Sequence, residues 1–310
     1  MQVVCLGILV ADVIGRPIDT LPSPGTLQLV ASISPHIGGC AANSGIGLQT
    51  LGIPTLVAGK VGRDGFGDFV RSELERFGAR TALVFDEEAP TSATMVLVQS
   101  NAERAFLHCT GANAQFQLSD FDLALLDGGA TWLHIAGHGL MPRFDGAQCA
   151  QLLRIAKEKG LKTSLDTAGA PDEKWFENLR LCLPHLDYFV PSLHEVAHLF
   201  PQQHTPEGLA ARIREEGVGV VALKMGELGS YVTDGKESHF VPPFPVEAVD
   251  ATGAGDAFAA GFVAGALNGF DLRECARLGN AAGALVVTRV GTVAGYRSLQ
   301  DTLNWMEQQP

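Results

Sequence analysis

One stretch, Asp250-Ala251-Thr252-Gly253-Ala254-Gly255-Asp256, constrains this chain more than any other. Val246 and Val249 lead into it as a β-rich approach. Its glycines can take backbone conformations closed to other residues, and the run Ala257 to Leu267 behind it is built of small and apolar residues suited to a helix. The expectation is a strand, a tight turn and a helix N-terminus. Unpaired N–H groups of such a turn face outward at the positive end of the helix dipole, so an oxyanion placed there is stabilised without any basic side chain. Asp256 sits oddly beside such a site. A carboxylate there repels the anion unless its task is to take a proton from a hydroxyl that attacks it. Asp is also a favoured helix cap, and the stretch alone leaves both readings open.

With 310 residues and 46% hydrophobic content, the chain suffices for one large α/β domain or two smaller ones around a sizeable core. The formal charge of −12 argues against nucleic acid or an anionic membrane as partner, because no run of Lys and Arg supplies the field. Phosphate binding then falls to backbone dipoles, Mg²⁺ and a few basic residues. Met1 leads directly into the strand-like Val3-Val4-Cys5-Leu6 without a basic leader, so no signal peptide is readable and the expectation is cytoplasmic. The cysteines (Cys5, Cys40, Cys109, Cys149, Cys182, Cys275) lack C-x-x-C spacing, which favours buried reduced thiols over a disulfide framework or a zinc site. The most apolar run, residues 257–267, is about half the ~20 residues of a membrane span.

Residues 2–10 read as a buried strand ending at Gly7, with Asp12 just beyond it, where open α/β sheets collect ligands. Between Arg16 and Pro35, prolines interrupt short β-like pieces such as Leu27-Gln28-Leu29-Val30. Gly38-Gly39 then opens a helix in which Asn43, one turn in, offers a donor and an acceptor to a polyol; a tightly packed helix start is the plainer alternative. Thr55–Ala58 reads as a strand and Gly59–Gly67 as a loop, followed by an amphipathic helix to Gly78. Thr94–Gln99 and Arg104–Cys109 flank a turn. From about residue 130, strands and helices alternate: strand Thr131–Ile135, helix 145–159, strands Lys162–Asp166 and Tyr188–Pro191, helix 206–216 and strand Val218–Lys224. Such alternation marks βαβ units and a parallel sheet. Asp234-Gly235 is a hairpin signal. There is no Walker A sequence and no G-x-G-x-x-G.

These segments together resemble the ribokinase-like (PfkB) carbohydrate kinases. The family's C-terminal signature, Asp-Thr-x-Gly-Ala-Gly-Asp, is matched at Asp250 and at Thr252 to Asp256, with Ala251 in place of the first Thr. Gly38-Gly39 followed by Asn43 fits its Gly-Gly-x-x-x-Asn. Val61, Gly62, Asp64 and Gly67 fit Val-Gly-x-Asp-x-x-Gly, and Lys224, Gly226 and Gly229 fit its nucleotide-binding Val-x-Leu-Lys-x-Gly-x-x-Gly. Gly111-Ala112-Asn113 resembles a sequence of ribokinases and many fructokinases. The resemblance covers residues 3 to about 292.

By that resemblance the fold is a three-layer αβα sandwich, with a mostly parallel central sheet and a small β lid. The lid is drawn from about residues 13–35 and 93–110, within a single kinase domain of residues 1–310. Asp256 is then the catalytic base, and Gly253, Ala254 and Gly255 the anion hole. Asp12, Gly38, Gly39 and Asn43 hold the substrate, while Lys224, Gly226, Gly229, Thr252 and Asn280 hold the nucleotide. Glu195 organises Mg²⁺ through water, with Ser192 in place of the family's Asn. Asp250 is a candidate ligand for a monovalent cation such as K⁺. Asp166-Thr167-Ala168 departs from the family's Asp-x-Asn. The implied reaction is phosphorylation of a primary hydroxyl of a sugar or sugar-like substrate by ATP. A nucleoside kinase and a catalytically silent sugar sensor are the alternatives, and the lid suggests a homodimer clasp. No acidic residue follows Ile135-Ala136-Gly137-His138, which counts against ribose itself. Arg104 in the lid could meet an anionic substrate group or simply be an exposed hairpin residue.

His194-Glu195-Val196-Ala197-His198 also spells H-E-x-x-H, the zinc-protease pattern. Its helix ends at Phe200-Pro201, and it stands within the βαβ series, so the kinase reading takes Glu195 and leaves both histidines on the surface.

Overall fold

Strand β1 (Val3–Gly7) is buried along its whole length, and its side chains divide between two cores. Val4 and Leu6 face one with Leu152, Leu179 and Ile213; on the other side Cys5 packs in a cluster with Ala42, and Val3 in a neighbouring one with Leu48 and Val263. A strand whose alternate residues are apolar on both sides is a strand covered by helices on both faces. The structure is a computed structural model describing residues 2–101, 103–169, 172–200 and 202–309.

After β1 come β2 (Val10–Arg16), β3 (Ser32–Gly38), α1 (Cys40–Thr50), β4 (Thr55–Gly62), α2 (Gly65–Arg76), β5 (Arg80–Asp86), β6 (Ala93–Val98) and β7 (Arg104–Cys109). The alternating part holds β8 (Trp132–His138), α3 (Ala147–Glu158), β9 (Lys162–Thr167), α4 (Glu173–Cys182), β10 (Tyr188–Phe189), α5 (Leu193–Ala197), α6 (Pro206–Glu215) and β11 (Val220–Lys224). The chain ends with β12 (Ser230–Thr233), β13 (Ser238–Val241), α7 (Ala254–Leu267), α8 (Leu272–Val287) and α9 (Leu299–Glu307).

The large sheet has nine strands in the order β13-β12-β11-β10-β9-β8-β1-β4-β5. It is parallel from β11 to β5, with β12 and β13 added antiparallel through the Asp234-Gly235 turn. The connections run in opposite directions on either side of β1 and β8, and ligands collect beyond the strand ends at such a reversal. The small-residue run of α7 is explained by crowding. A Cβ on Gly261 would lie 2.7 Å from the Leu278 carbonyl, so α8 packs backbone against backbone.

A second sheet has the order β3-β2-β6-β7. Its register places Asp12 opposite His36 and Thr94, and Thr94 opposite His108, so these four side chains share one face. Val13, Met95 and Leu107 point the other way.

Several expectations change. Asp12 does not stand in a loop beyond β1 but inside β2. The large sheet releases the chain at Gly7, and the Asn113 amide then bonds both the N–H (3.1 Å) and the C=O (2.9 Å) of Leu9, standing in for a strand partner. Gly59–Gly62 belong to β4 rather than to a loop. Val246–Val249 form no strand; the N–H groups of Val249 and Asp250 instead both donate to the Val287 carbonyl, at 2.7 and 3.0 Å. Leu27–Val30 are likewise irregular, with Leu27 and Leu29 each 87% exposed. No helix among the described residues is long and apolar enough to cross a membrane.

Candidate active site

The turn at residues 250–255 is a wall between two cavities. Asp250 and Thr252 face a small one of about 180 Å³ under the second sheet, lined also by Asp12, His36, Thr94 and Arg104. Ala251, Ala254 and Gly255 face a larger cleft of about 540 Å³ with Lys224, Gly226, Gly229 and Asn280. Its apolar walls include Phe244, Val246, Phe258 and Val287, of a kind suited to a flat ring system. The wall is thin because Gly253 adopts φ 82°, which turns the chain directly into α7. A Cβ there would meet the Thr292 carbonyl at 2.8 Å. Among the described residues the N–H groups of Gly253, Gly255 and Asp256 have no hydrogen-bond acceptor, whereas that of Ala254 reaches the Ala251 carbonyl at 3.3 Å. Three free amides at a helix N-terminus make an anion site.

Asp256, in the first turn of α7, is tied to α1. Asn43 Nδ2 donates to its Oδ2 at 2.8 Å, and Ser44 Oγ donates to its backbone carbonyl at 3.3 Å. Tyr296 in turn donates to the Asn43 carbonyl at 3.1 Å. Burial pushes the Asp256 carboxyl above its ordinary value, while the Asn43 bond and the Lys224 charge pull it down. Its side chain caps no amide of α7, so the plain helix-cap alternative finds no bond here. Asn43 Oδ1 is buried without a partner among the described residues, an acceptor left over beside the carboxylate.

Across the mouth of α7 lies a charged cluster at the strand ends. Lys224, the last residue of β11, donates to both oxygens of Asp166 on β9 at 2.6 and 2.7 Å. Glu195 Oε2 accepts from Thr167 Oγ1 at 2.7 Å and from the Ser192 N–H at 3.1 Å, leaving Oε1 unpartnered among the described residues. Three carboxylates, Asp166, Glu195 and Asp256, thus surround one ammonium. Burial pushes Asp166 up to about 7; Lys224 opposes this, and Glu195 and Asp256 reinforce it. Burial alone would lower Lys224, yet the same carboxylates hold it above its ordinary range. The Lys224 shift, held up by three carboxylates against its own burial, expresses surplus negative charge, the condition that favours a hard cation on carboxylate oxygens and water.

On the small-cavity side, burial raises the Asp12 carboxyl, opposed by Thr94 and then by His108 and His36. A side chain on Gly38 would overlap Asp12 Oδ2, and one on Gly39 (φ 90°) would meet the Ile8 carbonyl at 2.5 Å. Neither glycine lines the cavity; they let Asp12 and α1 pack closely.

Three expected roles change. Thr252 faces the small cavity, where its Oγ1 accepts from Arg104 at 3.0 Å, and not the nucleotide-sized cleft. Arg104 is no exposed hairpin residue, since it reaches across to pair with Asp250. Asp250 also accepts from the N–H groups of Thr252 (2.9 Å) at Oδ1 and Gly291 (3.0 Å) at Oδ2, so both oxygens are engaged within the protein. Although burial acts the other way, these donors hold its carboxyl below the ordinary range. Asn280 lines the large cleft, but its Nδ2 is spent on the carbonyls of Val241 (3.1 Å) and Pro242 (2.9 Å). The sequence reading missed the Asp166–Lys224 pair. Its only signal was that both residues close parallel strands.

The H-E-x-x-H segment does not form a metal centre among the described residues. Its helix spans only Leu193–Ala197, His194 and His198 are exposed, and Glu195 closes the capping box with Ser192.

Comparison with known proteins agrees with this arrangement. The pfkB family carbohydrate kinase pattern matches residues 1–298. An uncharacterized sugar kinase of Archaeoglobus fulgidus is 31% identical over 252 residues, covering 81% of this chain and 98% of that protein. A 2-dehydro-3-deoxygluconokinase of Bacillus subtilis is 27% identical, covering 92% and 91%. A candidate ribokinase II from E. coli, solved with ATP and Mg²⁺, superposes with a TM-score of 0.87 at 26% identity over 99% of both chains. The chain is a sugar kinase with the ribokinase-like fold and belongs to the pfkB family of carbohydrate kinases.

Proposed function

We propose that the protein moves the γ-phosphoryl group of ATP to a primary hydroxyl of a sugar or sugar-like substrate. ATP would occupy the large cleft and the sugar the small cavity beneath the second sheet, which serves as a lid on a single catalytic unit. The observation that carries this reading is the 250–255 turn, shared by both cavities, with free amides at its end and Asp256 tied to Asn43. Asp12 and the unpartnered Asn43 Oδ1 orient hydroxyls. Asp256 accepts the proton as the alcohol oxygen bonds to phosphorus and the bond from phosphorus to the β,γ-bridging oxygen breaks, leaving ADP. The amides of Gly253, Gly255 and Asp256 stabilise the equatorial oxygens of the transferring group. Such transfer is mainly positioning and electrostatics, and a base of this kind contributes ~10²–10⁴-fold.

Mg²⁺ fits the surplus carboxylate charge. Glu195 Oε1, with Asp166 nearby, would hold it through water, and the ion would neutralise phosphate oxygens. The reading gives K⁺ no carboxylate, because Asp250 is taken by Arg104. The small cavity suits one sugar ring better than a nucleoside with its base, so the sugar reading is preferred. A homodimer through the lid is supported by its outward Ile33 (69% exposed), Met95 (53%) and Leu107 (57%), and light scattering would give twice the 32.7 kDa chain mass. The test of the function is ADP release across pentoses, hexoses, sugar acids and nucleosides. Turnover with a sugar or sugar acid supports the reading; turnover confined to nucleosides, or none at all, overturns it.

A further inference from the structure

Away from both cavities, the ends of three elements bring metal-ligating side chains together. His138 is the last residue of β8, Cys149 lies in the first turn of α3, and Cys182 is the last residue of α4. Their donor atoms all lie within 4.8 Å of one another, and all three residues are 0% exposed. His138 Nε2 is 3.8 Å from Cys182 Sγ and 3.8 Å from Asp145 Oδ1, on the turn before α3. Asp145 Oδ2 accepts from the Met141 N–H at 2.8 Å, but Oδ1 is buried without a partner among the described residues.

The separations have a meaning for a cation. Tetrahedral Zn²⁺, with bonds of about 2.3 Å to sulfur and about 2.0–2.1 Å to nitrogen or oxygen, has ligand–ligand edges of roughly 3.3–3.8 Å. The two 3.8 Å separations sit at the upper end of that range, and the His138, Cys149 and Cys182 donors, all within 4.8 Å of one another, have only to draw together to close on an ion. An ordinary thiol arrangement explains part of the cluster, since Cys182 Sγ also lies 3.6 Å from the Asn178 carbonyl and 3.7 Å from that of Gly146. It does not explain a buried carboxylate oxygen left without a hydrogen-bond partner 3.8 Å from the imidazole, which costs free energy unless a positive group meets it.

We propose that His138, Cys149 and Cys182 form a structural site for a thiophilic divalent cation of the Zn²⁺ class, with Asp145, which stands beside His138 and outside the three-donor cluster, swinging in as fourth donor. Binding exchanges the two thiol protons for the metal and releases them to solvent. His138 coordinates as neutral imidazole through Nε2, and Asp145 enters as the carboxylate. Two sulfurs and a nitrogen exclude Mg²⁺ and Ca²⁺, which take oxygen. Four protein donors with no exposed position describe a closed structural site and not a catalytic one. Because all donors are buried, the ion loads as α3 and α4 dock on β8. It would then staple these helices beside β9, where the Ala168 N–H bonds the His138 carbonyl at 2.9 Å, two residues beyond Asp166.

The test is the metal content and spectrum of the full-length protein, produced in Zn²⁺- or Co²⁺-supplemented medium. The expected result is about one ion per chain and, with Co²⁺, thiolate-to-cobalt charge-transfer absorption with tetrahedral visible bands. Cys182→Ser and Cys149→Ser should abolish that absorption, while substitution of the exposed thiol, Cys109→Ser, should keep it. Should either buried-site variant fail to fold, alkylation of the wild-type protein with and without chelator decides. Protection of Cys149 and Cys182 that chelation removes supports the site. Overturning results are a metal-free wild-type protein, alkylation indifferent to chelator, or a Cys149–Cys182 disulfide in peptide maps.

Discussion

Replacing Asn43 with Leu keeps the branched heavy-atom skeleton but removes the Nδ2 donor, 2.8 Å from Asp256. Hydrogen bonds to charged groups contribute about 1.5–3 kcal/mol. If that bond serves the ionised base in the transition state, its loss lowers turnover roughly 10- to 150-fold, at 1.36 kcal/mol per factor of ten. The pH dependence carries a further signature. Burial already raises the Asp256 carboxyl in the folded protein, with Asn43 the first influence against it. A carboxyl raised on folding contributes its full stability below the ordinary value of 3.8, and that contribution is lost as pH rises through the folded value. In the Leu variant the folded value moves higher still. The acidic limb of the kcat/KM profile should therefore shift upward, and the Tm deficit against wild type should grow from acid toward neutral pH. Initial rates and thermal melts over the same buffer series measure both. An unmoved acidic limb with turnover within about twofold of wild type would refute the claim that Asn43 sets the state of Asp256.

Lys224→Met removes the cation that holds the Asp166 carboxyl down against its burial, so Asp166 takes up a proton in the variant and the stability lost in urea unfolding should grow as pH rises above about 7; adding Asp166→Asn should remove that pH dependence, and equal pH profiles of the single and double variants would contradict the pairing. Gly253→Ala combines φ 82° with a Cβ 2.8 Å from the Thr292 carbonyl and should destabilise by more than about 1 kcal/mol, whereas Gly255 has no positive φ and its Cβ would meet only the end of the Lys224 side chain, 3.1 Å away. The second substitution should therefore fold well, and a reversed order of Tm values would show the turn to be misread. His194→Ala with His198→Ala should leave both phosphotransfer and bound metal unchanged, while loss of either would revive the H-E-x-x-H reading.

Most of the architecture was legible because apolar runs and glycine punctuation recur along the chain. The alternation after residue 130 reads directly as β8 to β11 with α3 and α6, and Asp234-Gly235 does join β12 to β13. Residues whose placement depends on non-local pairing were not legible. Asp12 reads as a loop residue because nothing local reveals that Asn113 ends the large sheet at Leu9. Arg104 reads as solvent-exposed because its partner, Asp250, lies 146 positions away. β5, α4 and α9 were not anticipated; the exposed edge and the amphipathic helices gave weaker patterns than the buried strands. The cysteine spacing pointed away from zinc, yet spacing reports only ligands close in sequence. Cys149 and Cys182 meet His138 through the packing of two helices on one strand, which the linear pattern does not encode.

The central claim is that Asp256 takes the proton from the accepting hydroxyl. Asp256→Asn keeps the size and the contact with Asn43 while removing the base. ADP release by this variant should fall by ~10²-fold or more, while melting shifts induced by ATP and by the active sugar remain close to those of wild type. Near-normal turnover in Asp256→Asn would contradict the account, as would a loss of turnover fully matched by lost sugar binding.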